Sequence, residues 1–310
     1  MKIYNIEPGE SYKPTVVALG NFDGVHLGHQ KLLKCGLEKA QELGVDFSVL
    51  LFYPHPLKIL HPDKKLNLLT GHEERLRILE NLGVEKVYLV PFTRRLADTS
   101  PEDFVKNILL PIGAVHVVVG FNYSFGSQGK GDPELLKKLA EKYGFQVSVI
   151  NAQRIGNKII SSSEIRKYLL DGEIGLAAEM MGRFPTISGK VIHGDERGRT
   201  LGFPTANIMV DEDLLVPQNG VYAVVSEING QKYGGMLNIG LRPTFKKEAI
   251  RTIEVHFFDF QGDLYDRELT VSLISKLRSE KKFRGREEII AQLHKDKQLA
   301  LSIIQKINCS

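Results

Sequence analysis

The 310-residue sequence has no tryptophan and only two cysteines, Cys35 and Cys309. Two thiols so far apart exclude a disulfide-stapled secreted scaffold and a thiolate metal cluster, both of which need several cysteines at short spacing. A reducing, cytoplasmic setting is the expectation that follows. Long apolar runs are missing too. No stretch reaches the roughly 18 residues that a membrane-spanning helix needs, and the opening MKIYNIEPGE lacks the apolar core of an export signal. Charge of one sign is scarce, because 41 Lys and Arg against 37 Asp and Glu leave a net +4. That is too little to coat nucleic acid, yet it does not oppose small anions. The expected partners are therefore small molecules, not a membrane or a nucleic acid, with room for a weak homo-oligomer. What is present is an ordinary globular composition, 42% hydrophobic, at a length that suits two domains.

The two halves differ in texture. In the first, near-continuous apolar runs, Thr15–Leu19, Phe47–Tyr53, Lys86–Val90 and Ala114–Gly120, alternate with helical stretches. Runs of that kind are strands covered on both faces. The helices carry clear end signals. Gly44 stops one, Ser100 and Pro101 open a second, and Asp132 and Pro133 open a third. The expectation is an α/β, Rossmann-like domain with a parallel sheet over residues 1–182. From about Arg183 the runs become short, β-branched and aromatic, separated by turns such as INGQ and FQGD. This reads as an antiparallel β-barrel over 183–310, closed by a long amphipathic C-terminal helix.

The stretch Val16–Leu33, VVALGNFDGVHLGHQKLL, places Gly20, Phe22, Asp23, His26, Gly28 and His29 where an apolar strand turns into a helix. Ligands of parallel α/β sheets bind at the carboxyl ends of strands. Glycines there let backbone approach a phosphate, and the helix N-terminus favours an anion. The histidines are either caps of that helix or donors to charge developing on a phosphate. The turn is neither a Walker loop nor a dinucleotide fingerprint. The order His-x-Gly-His after GNFDG resembles the signature of the nucleotidyltransferase superfamily. With GFNYSFG around Asn122 and ISSSEIRKYLL (Ser161, Ser162, Ser163, Arg166), the set is similar to bacterial FAD synthetase modules. The resemblance implies transfer of AMP from ATP to FMN, with His26 and His29 catalytic. Gly20, Phe22, Asp23, Gly28, Asn122, the three serines and Arg166 would bind the nucleotide. Tyr123 stands where relatives carry phenylalanine.

In the second half GFPTANI puts Thr205 and Asn207 two apart in an extended stretch, so both point one way. Their neutral oxygens suit a Mg²⁺ that also binds phosphates. In TIEVHFFDF, alternation groups Glu254 with His256 and Phe258. A carboxylate in mid-strand either faces solvent or lines a polar site. GRTLGFPTAN, NIGLRPTF, EVHFFDF and KLRSEKKF occur in the order seen in riboflavin kinases, which this half resembles. The resemblance implies Glu254 as general base on riboflavin and Thr205 and Asn207 as Mg²⁺ ligands. It also implies a phosphate-covering loop from Gly189 through Lys190 to Gly198, Tyr265 near the nucleotide, and Arg278 and Phe283 near the flavin. Asp266 replaces a glycine usual in relatives, which matters if that turn needs positive φ. The whole chain thus resembles the bifunctional family that makes FMN and then FAD. The rivals are a chain with one active module, and a flavin sensor or nucleic-acid regulator. A barrel can host nucleic acid, but the basic and aromatic interleaving that stacking needs is missing.

Overall fold

Thr15–Leu19 is buried at every position, which only a strand covered on both faces achieves. In the computed structural model, which describes residues 1–5, 12–194, 198, 201–242 and 250–308, this is strand β2. The strand β1 spans Lys2–Asn5, β3 Asp46–Tyr53, β4 Lys86–Pro91, β5 Ala114–Gly120 and β6 Gln146–Ile150. They form one parallel sheet in the order β1-β4-β3-β2-β5-β6, followed by a two-stranded antiparallel hairpin, β7 (Arg154–Ile155) and β8 (Lys158–Ile159). Val17 and Leu19 enter one apolar layer with Val117, Phe104 and Leu136. Val16 and Ala18 enter the opposite layer with Phe47, Leu33 and Leu79. Each such valine or leucine contributes roughly 1.5–3 kcal/mol of burial.

The helices follow the end signals. Helix α1 (Leu27–Leu43) ends at Gly44 with φ 66°, in the left-handed region where glycine is favoured. The others in the first half are α2 (Pro56–Leu60), α3 (His72–Asn81), α4 (Arg94–Ala97), α5 (Pro101–Phe104) and α6 (Pro133–Tyr143). Ser100 and Asp132 cap α5 and α6 as expected. The helix expected from Pro101 to Leu109 loosens into a π-turn over Val105–Leu109. Gly36 sits inside α1, where glycine is ordinarily unfavourable. It is there because the Phe47 ring of β3 occupies the space a Cβ would need.

The chain forms two compact units. The first comprises Met1–Leu66 and His72–Ser161, and the second Asn67–Gly71 and Ser162–Ser310. Helices α7 (Ser162–Asp171) and α8 (Ile174–Met181) therefore group with the barrel by contact. Within that second unit Leu68 bridges Leu214, and the Gln218 N–H donates to the Leu169 carbonyl at 3.0 Å.

A closed six-stranded barrel dominates the second unit. Its strands are β9 (Thr186–Ile192), β10 (Ala206–Met209), β11 (Gly220–Ile228), β12 (Gln231–Arg242), β13 (Ile250–Phe257) and β14 (Glu268–Arg278), in the order β10-β13-β12-β11-β14-β9. All neighbours are antiparallel, including β9 with β10, which closes the ring. The INGQ turn is the expected hairpin, with Asn229 and Gly230 at φ 53° and 79°. Helix α9 (Arg286–Asn308) packs its apolar stripe, Ala300 and Ile304, on Val221, Met236, Phe258 and Ile274. Two residues expected in a loop lie in the ring. Gly189 and Lys190 belong to β9, so the phosphate-covering loop starts later than the sequence suggested. Position 189 takes glycine within the strand because the Met209 carbonyl of β10 lies where a Cβ would be. Residues 195–197 of that loop, the Arg199 and Thr200 start of GRTLGFPTAN, the RPTF end of NIGLRPTF from residue 243, and Cys309 lie outside the described residues.

Candidate active sites

At the carboxyl end of β2 the chain makes a tight turn with Phe22 at φ 49°, Gly24 at 79° and Val25 at 35°. A β-branched residue at positive φ is strained, and such strain gathers at functional turns. The sheet order reverses here, since β3 lies on one side of β2 and β5 on the other. The turn is anchored from below. Arg75 of α3 donates to the Asn21 carbonyl at 3.1 Å and lies 3.8 Å from the buried Asp23 carboxylate. Asp23, expected at the nucleotide, lies within the turn and is 3% exposed. Phe22 is fully buried. Gly20 leaves room for the Phe22 ring, whose nearest carbon lies 3.2 Å from an ideal Cβ.

His26 caps α1, and its Nδ1 accepts from the His29 N–H at 3.3 Å. The neutral ring therefore carries its proton on Nε2. The His26 and His29 rings stack with centroids 3.7 Å apart and planes at 12°. Gly28 permits this stack, because an ideal Cβ there would sit 3.1 Å from the His26 ring. The Ile160 carbonyl lies 3.9 Å from the same point, which brings the chain entering Ser161 to the histidine turn. Ser162, Ser163 and Arg166 lie on α7, in the second unit. There the Arg166 Nε donates to the Asn67 carbonyl at 2.8 Å. Asn122 is exposed just beyond β5, the strand next to β2. The Tyr123 ring stacks on Phe125 at 5.9 Å and packs against the sheet's apolar layer, and burial pushes its phenol up.

On the barrel, Glu254 of β13 pairs across the strand with Asn207 of β10 on one side and Asn238 of β12 on the other. A cleft of about 300 Å³ gathers Glu254, Thr205, Gly198, Arg278 and Phe283. A pocket of about 440 Å³ is lined by Tyr265, Asp263 and the same Thr205. Thr205 is thus common to the cleft of the expected flavin residues and the pocket of the expected nucleotide residue. The Asn207 amide packs on Gly194, which has no Cβ to obstruct it. Tyr265 stacks on His193 at 3.8 Å. Asp266 has φ 61°, so the turn does demand the conformation glycine supplies. Its carboxylate pairs with Lys190 at 2.8 Å. The lysine holds that carboxyl below the usual range, and the carboxylate raises the lysine.

Several residues lining the cleft or holding its walls were not singled out from sequence. His256 lines the cleft, and its Nδ1 sits 2.8 Å from the Pro204 carbonyl. Burial lowers its pKa below 6.5, so the neutral ring donates from Nδ1. The alternation that marked Glu254 also marks His256. Glu280 accepts from the Asn219 amide at 3.0 Å and from the Leu241 N–H at 3.3 Å. Asp296 of α9 receives Arg278. Nothing in local sequence signals the last two contacts, which depend on barrel closure. Among the described residues no group of three or more His, Cys, Asp or Glu side chains forms a metal site.

Residues 9–164 match the family model for FAD synthetase, and residues 181–304 match that for riboflavin kinase. The chain is 42% identical over 293 residues to the bifunctional riboflavin kinase/FMN adenylyltransferase of Listeria monocytogenes, covering 94% of this chain and 93% of that one. It is 39% identical over 297 residues to the Bacillus subtilis protein of the same description, at 94% and 93% coverage. A crystal structure described as a macrolide-efflux protein from Streptococcus pneumoniae superimposes with a TM-score of 0.88 at 31% identity, over 97% of this chain and 99% of that one. Among the described residues no helix is long and apolar enough to cross a membrane.

Proposed function

The chain belongs to the family of bifunctional riboflavin kinases/FMN adenylyltransferases, and we propose that its barrel cleft makes FMN and its histidine turn converts FMN to FAD. The observation that carries the kinase half is the place of Thr205 in the walls of both barrel cavities, with Glu254 in one and Tyr265 in the other. Riboflavin would lie against Arg278 and Phe283, ATP against Tyr265 with Gly189, Lys190 and Gly198 toward its phosphates, and the transferred phosphoryl group would pass Thr205. Glu254 accepts the proton of the ribityl hydroxyl as its oxygen bonds to the γ-phosphorus. The bond from that phosphorus to the β-phosphate oxygen breaks, and ADP leaves. Thr205 and Asn207 fit a Mg²⁺ arriving with ATP, because both offer oxygen and Asn207 is the cross-strand partner of Glu254. The ion would spread the charge on the phosphates.

In the adenylyl transfer, an FMN phosphate oxygen bonds to the α-phosphorus of ATP and pyrophosphate leaves. The attacking oxygen is already ionised near neutral pH, so no general base is needed. His26 donates from Nε2, and His29 with it stabilises charge on the reacting phosphate. Gly20, Phe22 and Gly28 shape the turn, Asp23 braces it, and Asn122, Ser161, Ser162, Ser163 and Arg166 bind the nucleotide. The functional division falls at 182/183. Such small-molecule chemistry suits a cytoplasmic enzyme with no nucleic-acid partner. Riboflavin, ATP and MgCl₂ incubated with the protein should give FMN first and FAD later by chromatography. FMN and ATP alone should give FAD and pyrophosphate. The absence of both products would overturn the reading.

A further inference from the structure

Arg278 is held from behind by a residue that the chemistry of the cleft does not touch. It ends β14 and lines the cleft, where its guanidinium lies 5.7 Å from the Phe283 ring centroid. A flat cation so near an aromatic face can turn unless something fixes its plane. Asp296 supplies that constraint from α9. The Arg278 Nε donates to Asp296 Oδ2 at 2.9 Å, and Nη2 lies 2.9 Å from the same oxygen. Nη1 donates to the Ser279 carbonyl at 3.1 Å. The Asp296 side chain is only 4% exposed. Gln292, one helical turn earlier, donates to Asp296 Oδ1 at 2.8 Å. A buried carboxylate with this many partners is costly to keep, and a well-packed apolar pair is often as stable. Its retention beside the cleft needs a reason other than stability.

We propose that Asp296 is a positioning residue for flavin recognition. By holding the Nε and Nη2 edge of Arg278, it presents the guanidinium to riboflavin in one orientation and ties α9 to the cleft. The proposal rests on the reading of Arg278 as a flavin-contacting residue. Two consequences separate it from simple support of the fold. Loss of Asp296 should weaken riboflavin and spare ATP, since the pocket holding Tyr265 contains neither Arg278 nor Asp296. Its effect should also vanish once Arg278 can no longer be oriented.

The test measures riboflavin binding to the full chain by quenching of flavin fluorescence, with ATP KM and FMN adenylylation as controls. Asp296→Asn should weaken riboflavin about tenfold, the loss of one charge-assisted contact, with ATP KM and adenylylation unchanged. In an Arg278→Met background the same substitution should add nothing. Unchanged riboflavin affinity, a parallel rise in ATP KM, or a loss that adds in full to that of Arg278→Met overturns the proposal. If Asp296→Asn does not fold, Gln292→Ala decides, because it loosens Asp296 without stranding a charge. It should weaken riboflavin about threefold, as loss of one neutral hydrogen bond does, and unchanged affinity overturns the proposal. Normal riboflavin binding by Arg278→Met would sink the reading of Arg278 itself, whereas weak binding by Arg278→Met beside normal binding by Asp296→Asn sinks the positioning role alone.

Discussion

The two nitrogens of His26 have different employments. Nδ1 is taken by the helix cap, and Nε2 is the nitrogen proposed to donate to the phosphate. Capping and catalysis, alternatives at the level of sequence, are therefore compatible in one ring, and they can be separated by mutation. Asparagine is a good cap and keeps an acceptor for the His29 N–H. His26→Asn should hold stability within about 1 kcal/mol while lowering FAD formation from FMN on the order of a hundredfold, the usual cost of one donor to developing charge. A melting curve and a turnover assay on one preparation check both, and a normal rate would return His26 to capping alone. Asp266 makes a different argument. It accepts an unfavourable φ and occupies the Lys190 ammonium. Exposed ion pairs hold weakly, so Asp266→Gly should lower the ATP KM of the kinase reaction by about twofold if Lys190 is then freed toward phosphate. An unchanged or higher KM would remove Lys190 from the nucleotide.

Among the elements, those with strong end signals or unbroken apolar runs were legible. Strand β5 and helix α6 fall where the sequence places them, and so does the Asn229–Gly230 hairpin. The hairpin is also anchored, with Arg267 donating to Asn229 Oδ1 at 2.8 Å. Gly230→Ala should destabilise the barrel by about 1–2 kcal/mol, the cost of a side chain in the left-handed region, read by denaturant unfolding. Asn229→Gly should cost less. The edge strands β1 and β6 were not legible, because four or five mixed residues leave no periodic signal. Helix α3 was missed too, though it carries the Arg75 that braces the histidine turn. The family resemblance assigns the Gly189–Lys190 stretch to a loop, whereas it belongs to β9, and glycine at 189 admits a neighbouring carbonyl. Strand β5 also carries a prediction in its buried His116, whose ring nitrogens face Ser148 and Gln146 at 2.8 and 3.3 Å. Burial lowers its pKa below 6.5. The unfolded state then binds the proton first. Stability attributable to His116 is complete above pH 6.5 and is lost as pH falls from there toward the folded value. His116→Gln should flatten the fall in unfolding free energy between neutral and mildly acid pH, and an unflattened slope would assign it to other groups.

At the scale of the molecule, the two motif sets are far apart in sequence and are proposed to carry different chemistry, one with a carboxylate base and one without. The kinase set, from Thr205 to Phe283, lies within one contact unit, so its geometry was recoverable once the barrel order was known. The adenylyl-transfer set is divided, with the histidine turn and Ser161 in one unit and Ser162, Ser163 and Arg166 in the other. Sequence order gives no hint of that division, which arises because α7 takes its contacts from Asn67–Gly71 and the chain around Gln218. The chemistry nevertheless predicts independence. Glu254→Gln keeps the volume of the side chain and removes the proton acceptor, so FMN formation from riboflavin should fall by about a hundredfold or more. FAD formation from supplied FMN should stay at the parent rate. His29→Ala should do the reverse, letting FMN accumulate from riboflavin without FAD. Mixing the two variants with riboflavin, ATP and MgCl₂ should restore FAD, because free FMN made by one can reach the other. If either substitution removed both activities in a protein that still melts cooperatively, the two reactions would share groups, and the assignment of one reaction to each motif set would fail.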